Sequence, residues 1–158
     1  MIREVLNISC NKFGKGGHIP SIYTCDGKNI NPPIVIEKLP PKTKSLVVIM
    51  EDAEYEGNAA VYWLAYNIPA KNVINEDEHL CTFGMNHLNE FSYSGPCPEN
   101  GTHRYVFKVY ALDDFLYFHH KHVFRTEVED GIRYHELGFG KFEGVYQKSK
   151  RNEVSNIN

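Results

Sequence analysis

Hydrophobic positions fall into short runs separated by Gly, Pro, Asn and Asp, and the longest runs predict strands. "SLVVIMED", residues 45–52, holds five consecutive apolar residues, as a strand buried on both faces would, and leaves into charge at Glu51, Asp52 and Glu54. In "AAVYWLAYNIP", residues 59–69, alternation places Ala60, Tyr62, Leu64 and Tyr66 on one face. Val61, Trp63 and Ala65 take the other, and Pro69 closes the ladder. "HRYVFKVYALD" sets His103, Tyr105, Phe107, Val109 and Ala111 on one face, with Arg104, Val106, Lys108 and Tyr110 opposite. A last strand, "FGKFEGVYQK", aligns Gly140, Phe142, Gly144 and Tyr146.

Weaker segments complete the picture. "REVLNIS" predicts a short strand with a bulge, and Val35 and Ile36 begin another that "LPP" ends. Between them "GKGGHIPSIYTCDGKNINPPI" is dense in turn residues and predicts a long ordered excursion over the surface. Residues 71–94 are polar and weakly periodic, which predicts loop or a short helical turn. Helical spacing of Phe124, Val128, Gly131, Ile132 and His135 predicts a helix over 121–133, with Gly131 weakening it. Many strands and few helices make the chain mainly β, an antiparallel sandwich rather than alternating βαβ units.

Composition narrows the function more than the fold. At 158 residues the chain suits one domain, taken as 1–148, followed by a polar tail at 149–158. The net charge of −3 comes without a basic run long enough to track a phosphate backbone, so no nucleic-acid partner is expected. No run approaches the about 20 apolar residues of a membrane span, and the N-terminus lacks a signal-peptide pattern. A cytoplasmic protein without membrane insertion is the expectation. Cysteines 10, 25, 81 and 97 contain no Cys-x-x-Cys pair, which argues against a zinc knuckle or a redox dithiol. They read as separate buried or half-buried thiols, the main exception being a bond between Cys25 and Cys97, both in turn-rich segments.

Candidate chemistry gathers at strand ends. Asp52 and Glu54 are two apart, so in extended backbone they share a side and offer two acceptors at a cleft rim. Tyr62, His103 and Tyr105 supply donors from neighbouring strand ends, and the stiff loop "GPCPENGT" leads into His103. A histidine beside a carboxylate, ringed by phenols, makes a small site for an oxyanion or polar head group. The bland alternative is a solvated strand end. No serine has a Gly-x-Ser-x-Gly setting, so no nucleophile and no catalytic residue is assigned. "FHHKH", with His119, His120 and His122, reads as a polar patch before the helix; no metal site and no cofactor are expected. A zinc deaminase is disfavoured because the Pro-Cys of "GPCPEN" lacks a second cysteine and a preceding His-x-Glu.

Five strings, in order, resemble the phosphatidylethanolamine-binding protein family in its small bacterial and archaeal branch. They are "YTCDGKNINPP", "KSLVVIMEDAE", "YWLAYNIP", "GPCPENGTHRYVFKVYALD" and "FEGVYQK", spanning about residues 5–148. The resemblance implies a β-sandwich with small peripheral helices and a shallow anion pocket at one end. By that likeness Asp52, Glu54, His103 and Tyr105 line the pocket, and Gly95 and Pro96 shape one wall. This sequence departs from the family at Tyr62, where histidine is common before Trp63. It departs again in "DAE", where Asp-Pro-Asp is usual, and in "YEG", where a further proline is missing. A site with one histidine in place of two carries less positive charge, so weaker binding of dianionic phosphate, or a different ligand, is expected. The expected function is a non-enzymatic small-ligand or anion-binding protein. Alternatives are a serine protease or kinase inhibitor acting through an exposed loop such as 71–94, and a small ester or phosphate hydrolase using His103. An exposed edge strand would allow a homodimer.

Overall fold

The computed structural model describes residues 3–54 and 60–148. Ala59, the "YEG" departure and the polar tail at 149–158 lie outside the described residues. In chain order the elements are β1 (Glu4–Val5), β2 (Ile8–Ser9), a 3-10 turn (Ser21–Tyr23), β3 (Ile34–Ile36), β4 (Ser45–Asp52) and β5 (Val61–Pro69). They continue with β6 (Val73–Ile74), β7 (Thr82–Phe83), β8 (Thr102–Leu112), α1 (Arg125–His135) and β9 (Glu136–Gln147). One sheet runs β1-β9-β8-β4-β5-β7 and a smaller one β2-β3-β6. The chain is mainly β, as its pattern predicts; only β1 and β9, among the named pairs, run parallel.

The apolar run of β4 explains the layering. Leu46, Val48 and Met50 face the small sheet and pack with Ile8, Ile34, Ile36 and Ile74 in one core. Val47 and Ile49 face the other way, into a second core with Leu116, Val128 and Ile132 under α1. All eight β4 residues are buried. β8 sends Tyr105, Phe107, Val109 and Ala111 into the sandwich core. There the rings of Phe107 and Phe142 stack at 4.7 Å and Phe13 packs against both.

Five expectations change. "REVLNIS" is two strands in different sheets, because the chain crosses between layers at Leu6. The Leu6 N–H donates to Phe139 O at 2.9 Å, and Gly140 approaches so closely that a Cβ there would lie 2.4 Å from Leu6 O. In β5 simple alternation fails: Met50 pairs with Trp63 but Glu51 with Val61, a slip that turns Tyr62 and Trp63 both into the sandwich core. Val61, Leu64 and Tyr66 pack on the helix side. The helix starts four residues later than predicted, where Glu127 Oε1 accepts the Phe124 N–H at 3.1 Å, and ends at His135, whose Nδ1 meets Asp113 Oδ1 at 2.8 Å. Residues 71–94 contain β6 and β7 besides loop.

The fifth change is chemical. Cys25 and Cys97 form a disulfide across 72 positions, with Cα atoms 5.5 Å apart, so they are not separate thiols. Proximity of two loops remote in sequence decides this, and no local pattern encodes it. Cys10 and Cys81 remain free. Burial raises both thiols, Cys81 to about 11. No helix among the described residues is long and apolar enough to cross a membrane.

Candidate functional site at the ends of β4 and β8

Asp52 is the last residue of β4 and pairs with Tyr105 of β8. It is fully buried, and a carboxylate in that position requires partners. His103 Nδ1 lies 2.7 Å from its Oδ2, and the Glu54 N–H donates to its Oδ1 at 2.9 Å. A carboxylate accepts, so the shared proton sits on Nδ1 and Nε2 is the imidazole nitrogen left for other company. The imidazole is one-quarter exposed.

Tyr105 lies beside this pair, with its ring 6.4 Å from the His103 ring and no exposed surface. Its hydroxyl has no hydrogen-bond partner of regular geometry among the described residues. Burial, then the neighbouring Tyr62 and Asp52, push the phenol far above its ordinary value, and the Cys97 backbone N–H opposes them. Tyr105 is therefore a neutral O–H donor at any ordinary pH. Tyr62 meets Tyr105 edge-on at 5.4 Å and stacks on His87 at 4.1 Å.

The loop that precedes β8, expected to shape one wall, is held at several points. The Ser94 N–H donates to Tyr62 O at 2.8 Å, and the Gly95 N–H to Asn29 Oδ1 at 2.7 Å. Gly95 cannot carry a side chain, since a Cβ would sit 2.1 Å from Tyr23 O. Pro96 is buried and accepts the Cys25 N–H at 3.2 Å. Across β8–β9, His103 is registered with Tyr146, whose hydroxyl donates to Asp26 of the surface excursion. Burial and Asp26 raise this phenol too.

The structure thus brings together Asp52, Tyr62, His103 and Tyr105, while Gly95 and Pro96 lie in the adjoining loop, which reaches Tyr62 through Ser94 and Tyr105 through Cys97. Glu54 stands apart in one respect: the chain turns after Asp52, with the Ala53 N–H on Arg104 O at 2.8 Å, so the extended backbone assumed for the Asp52/Glu54 pair ends. Glu54 gives its amide to Asp52, and its side chain is exposed. Glu51 points to the opposite face, held by Lys108 and by Arg125 of α1. Burial resists its ionisation, but the two cations outweigh it and hold the carboxyl below its usual range. Sequence reasoning missed His87, Asp26, Asn29 and Tyr146 as neighbours of the cluster. Only Tyr146 carried a signal, its shared face with Gly144 and Phe142.

A cavity of about 580 Å³ lies on that opposite face, lined by Glu51, Val61, Asn86, His87, Arg125 and Glu129 among others. Its charged groups are paired: Arg125 forms ion pairs with Glu51 and Glu129, although Glu51 Oε2 makes no regular hydrogen bond, and Asn86 ties down the amides of Leu88 and Glu90. Its size alone does not outweigh the unspent donor of Tyr105. No group of three or more metal-ligating side chains occurs among the described residues. The polar patch at His120 pairs with Glu127 of α1.

Comparison with known proteins follows the same outline. The profile of the family described as phosphatidylethanolamine-binding protein matches residues 9–147. A UPF0098 protein of Archaeoglobus fulgidus is 38% identical over 146 residues, 87% of this chain but 50% of its own length, so the chain spans about half of that relative. A UPF0098 protein of Methanothermobacter thermautotrophicus is 33% identical over 151 residues, 90% of this chain and 99% of its own. The crystal structure of a phosphatidylethanolamine-binding protein homologue from Chlamydia trachomatis superposes with a TM-score of 0.84 at 29% identity, over 92% of this chain and 99% of that one. YbcL of E. coli gives 0.80 at 20% identity, over 91% and 99%, a likeness of fold alone.

Proposed function

This chain belongs to the phosphatidylethanolamine-binding protein family, and from that premise we propose that it is a non-enzymatic binding protein for a small anion at the Asp52–His103–Tyr105 cluster. The observation that carries this reading is the Tyr105 hydroxyl: buried, neutral and with no regular hydrogen bond among the described residues, beside an imidazole oriented by Asp52. A carboxylate or phosphate-like oxygen would accept from it and from a protonated His103 Nε2. Asp52 already sets one carboxylate on this histidine, so monoanions should compete better here than dianions.

The test is a heteronuclear NMR titration with phosphate, acetate and phosphoethanolamine. Saturable shifts should centre on residues 52, 62, 103 and 105 and vanish in His103→Ala. Tight binding of ordinary phosphate monoesters would refute the monoanion preference, and no saturable shift would refute the reading.

A second reading has its own support. Residues 86–91 form a turn tied by Asn86, with Leu88 and Phe91 left exposed, so a rigid loop offers apolar side chains to another protein. Such a loop suits an inhibitor of a serine protease or kinase. Loss of protease activity on addition of the protein, restored by Leu88→Asp, would favour this reading over simple ligand binding.

A further inference from the structure

We propose that the Cys25–Cys97 disulfide is a thiol–disulfide exchange site that gates the neighbouring pocket, with a dithiol reductant as its co-substrate; the gating half rests on the ligand reading above. The placement argues for it. Cys25 lies in the excursion that supplies Asn29 to Gly95 and Asp26 to Tyr146. Cys97 lies in the wall, one residue after Pro96, with its backbone N–H acting on the Tyr105 phenol. The bond therefore joins the two segments that enclose the cluster.

Both cysteines are exposed, so an attacking thiolate can reach them. The two other cysteines are poor competitors, since burial keeps the Cys10 and Cys81 thiols protonated near neutral pH. Two further ties between the segments sit upstream: Tyr93 O–H on Tyr23 O and Gly95 N–H on Asn29 Oδ1, each at 2.7 Å. Beyond Gly95 the hold passes through the 3.2 Å bond from the Cys25 N–H to Pro96 O and through the disulfide. Opening the disulfide releases the wall where it meets Tyr105, while the upstream anchors keep the loop's base in place.

The exchange balances as two displacements. One thiolate of the dithiol attacks a cystine sulfur, the S–S bond breaks, and the other cysteine leaves as a thiolate that takes a proton. The second thiolate of the reductant then displaces the cysteine held in the mixed disulfide. The chain gains two electrons and two protons, and the dithiol becomes a disulfide.

The experiment treats the folded protein with dithiothreitol, alkylates it, and maps the modified cysteines by mass spectrometry. The same oxidised, reduced and reoxidised samples are titrated with inorganic phosphate and with acetate, and their amide hydrogen exchange is followed over residues 95–105. We expect alkylation at positions 25 and 97 with the far-UV circular dichroism retained. Ion binding should weaken roughly tenfold or more on reduction and return on reoxidation. The Cys25→Ser/Cys97→Ser variant should match the reduced protein.

A disulfide untouched in the folded protein overturns the proposal, as does measurable ion binding that is equal in the oxidised and reduced forms. Global loss of structure on reduction also overturns it, because the bond is then structural. If the oxidised protein binds neither ion, the ligand reading fails by itself. Faster exchange over 95–105 on reduction then supports the switch, and unchanged exchange refutes it.

Discussion

The Tyr105 hydroxyl has given up water without a regular hydrogen bond in return. A buried donor left so costs about 1–3 kcal/mol, whereas its removal with the ring kept in place relieves that cost. Tyr105→Phe should therefore leave stability unchanged or raise it by about 1 kcal/mol while weakening anion binding. Urea denaturation and the NMR titration on one variant would show the split; a variant that loses stability would mean the hydroxyl already has a partner. Gly95 behaves in the opposite way. A methyl group there meets the Tyr23 carbonyl oxygen and Asn29 Oδ1, so Gly95→Ala should lower both stability and binding. His103 and Tyr105 were legible as candidates in the sequence because strand periodicity gave them one face. Asp26, which accepts from Tyr146, and His87, which stacks on Tyr62, were not, since each comes from an irregular segment whose position the long strands dictate.

Among the elements, β4 ties the two halves of the molecule together through residues pointing opposite ways. Asp52 turns toward the sandwich and the candidate site, and Glu51 toward α1. Glu51 is buried against Lys108 and Arg125, and its carboxyl is held below the ordinary value of 4.5. A carboxyl lowered in the folded state contributes stability above its unfolded pKa and loses it as pH falls through the folded one. Glu51→Gln should accordingly cost about 2–4 kcal/mol near pH 7, and the gap from the natural protein should narrow on acidification toward pH 3. Urea midpoints at the two pH values would check this; a constant gap would place the effect in packing. Read as one acidic cluster at a strand end, Glu51 and Asp52 could not be told apart by chemistry. Period two alone assigned them to opposite faces, and only the neighbouring strands showed what each face meets.

For the molecule as a whole, the disulfide closes a loop between positions 72 apart. On the chain-entropy account such a closure is worth about 4 kcal/mol. Removal by Cys25→Ser/Cys97→Ser should then lower the unfolding midpoint by roughly 10 °C with cooperativity retained. Differential scanning calorimetry would show it, and an unchanged midpoint would mean that the upstream hydrogen bonds already restrain the two loops. The large sheet takes its stability from both faces, since the small sheet covers one and α1 with the Leu116 loop covers the other.

The sequence by itself determined the mainly β class, the strands β4 and β8, the buried character of β4 and the single main helix. In each, a run of residues obeys one period long enough to identify the element and its buried side. It also determined which residue types stand at the ends of those strands. The tertiary structure alone decided the rest. It broke "REVLNIS" between two sheets at Leu6, slipped β5 so that Tyr62 and Trp63 share a core, joined Cys25 to Cys97, and set Tyr146 across from His103. All four depend on segments far apart in the chain meeting at a particular register. A local pattern records what a residue needs, a buried face or a partner, and leaves which partner it finds to the packing of the whole chain.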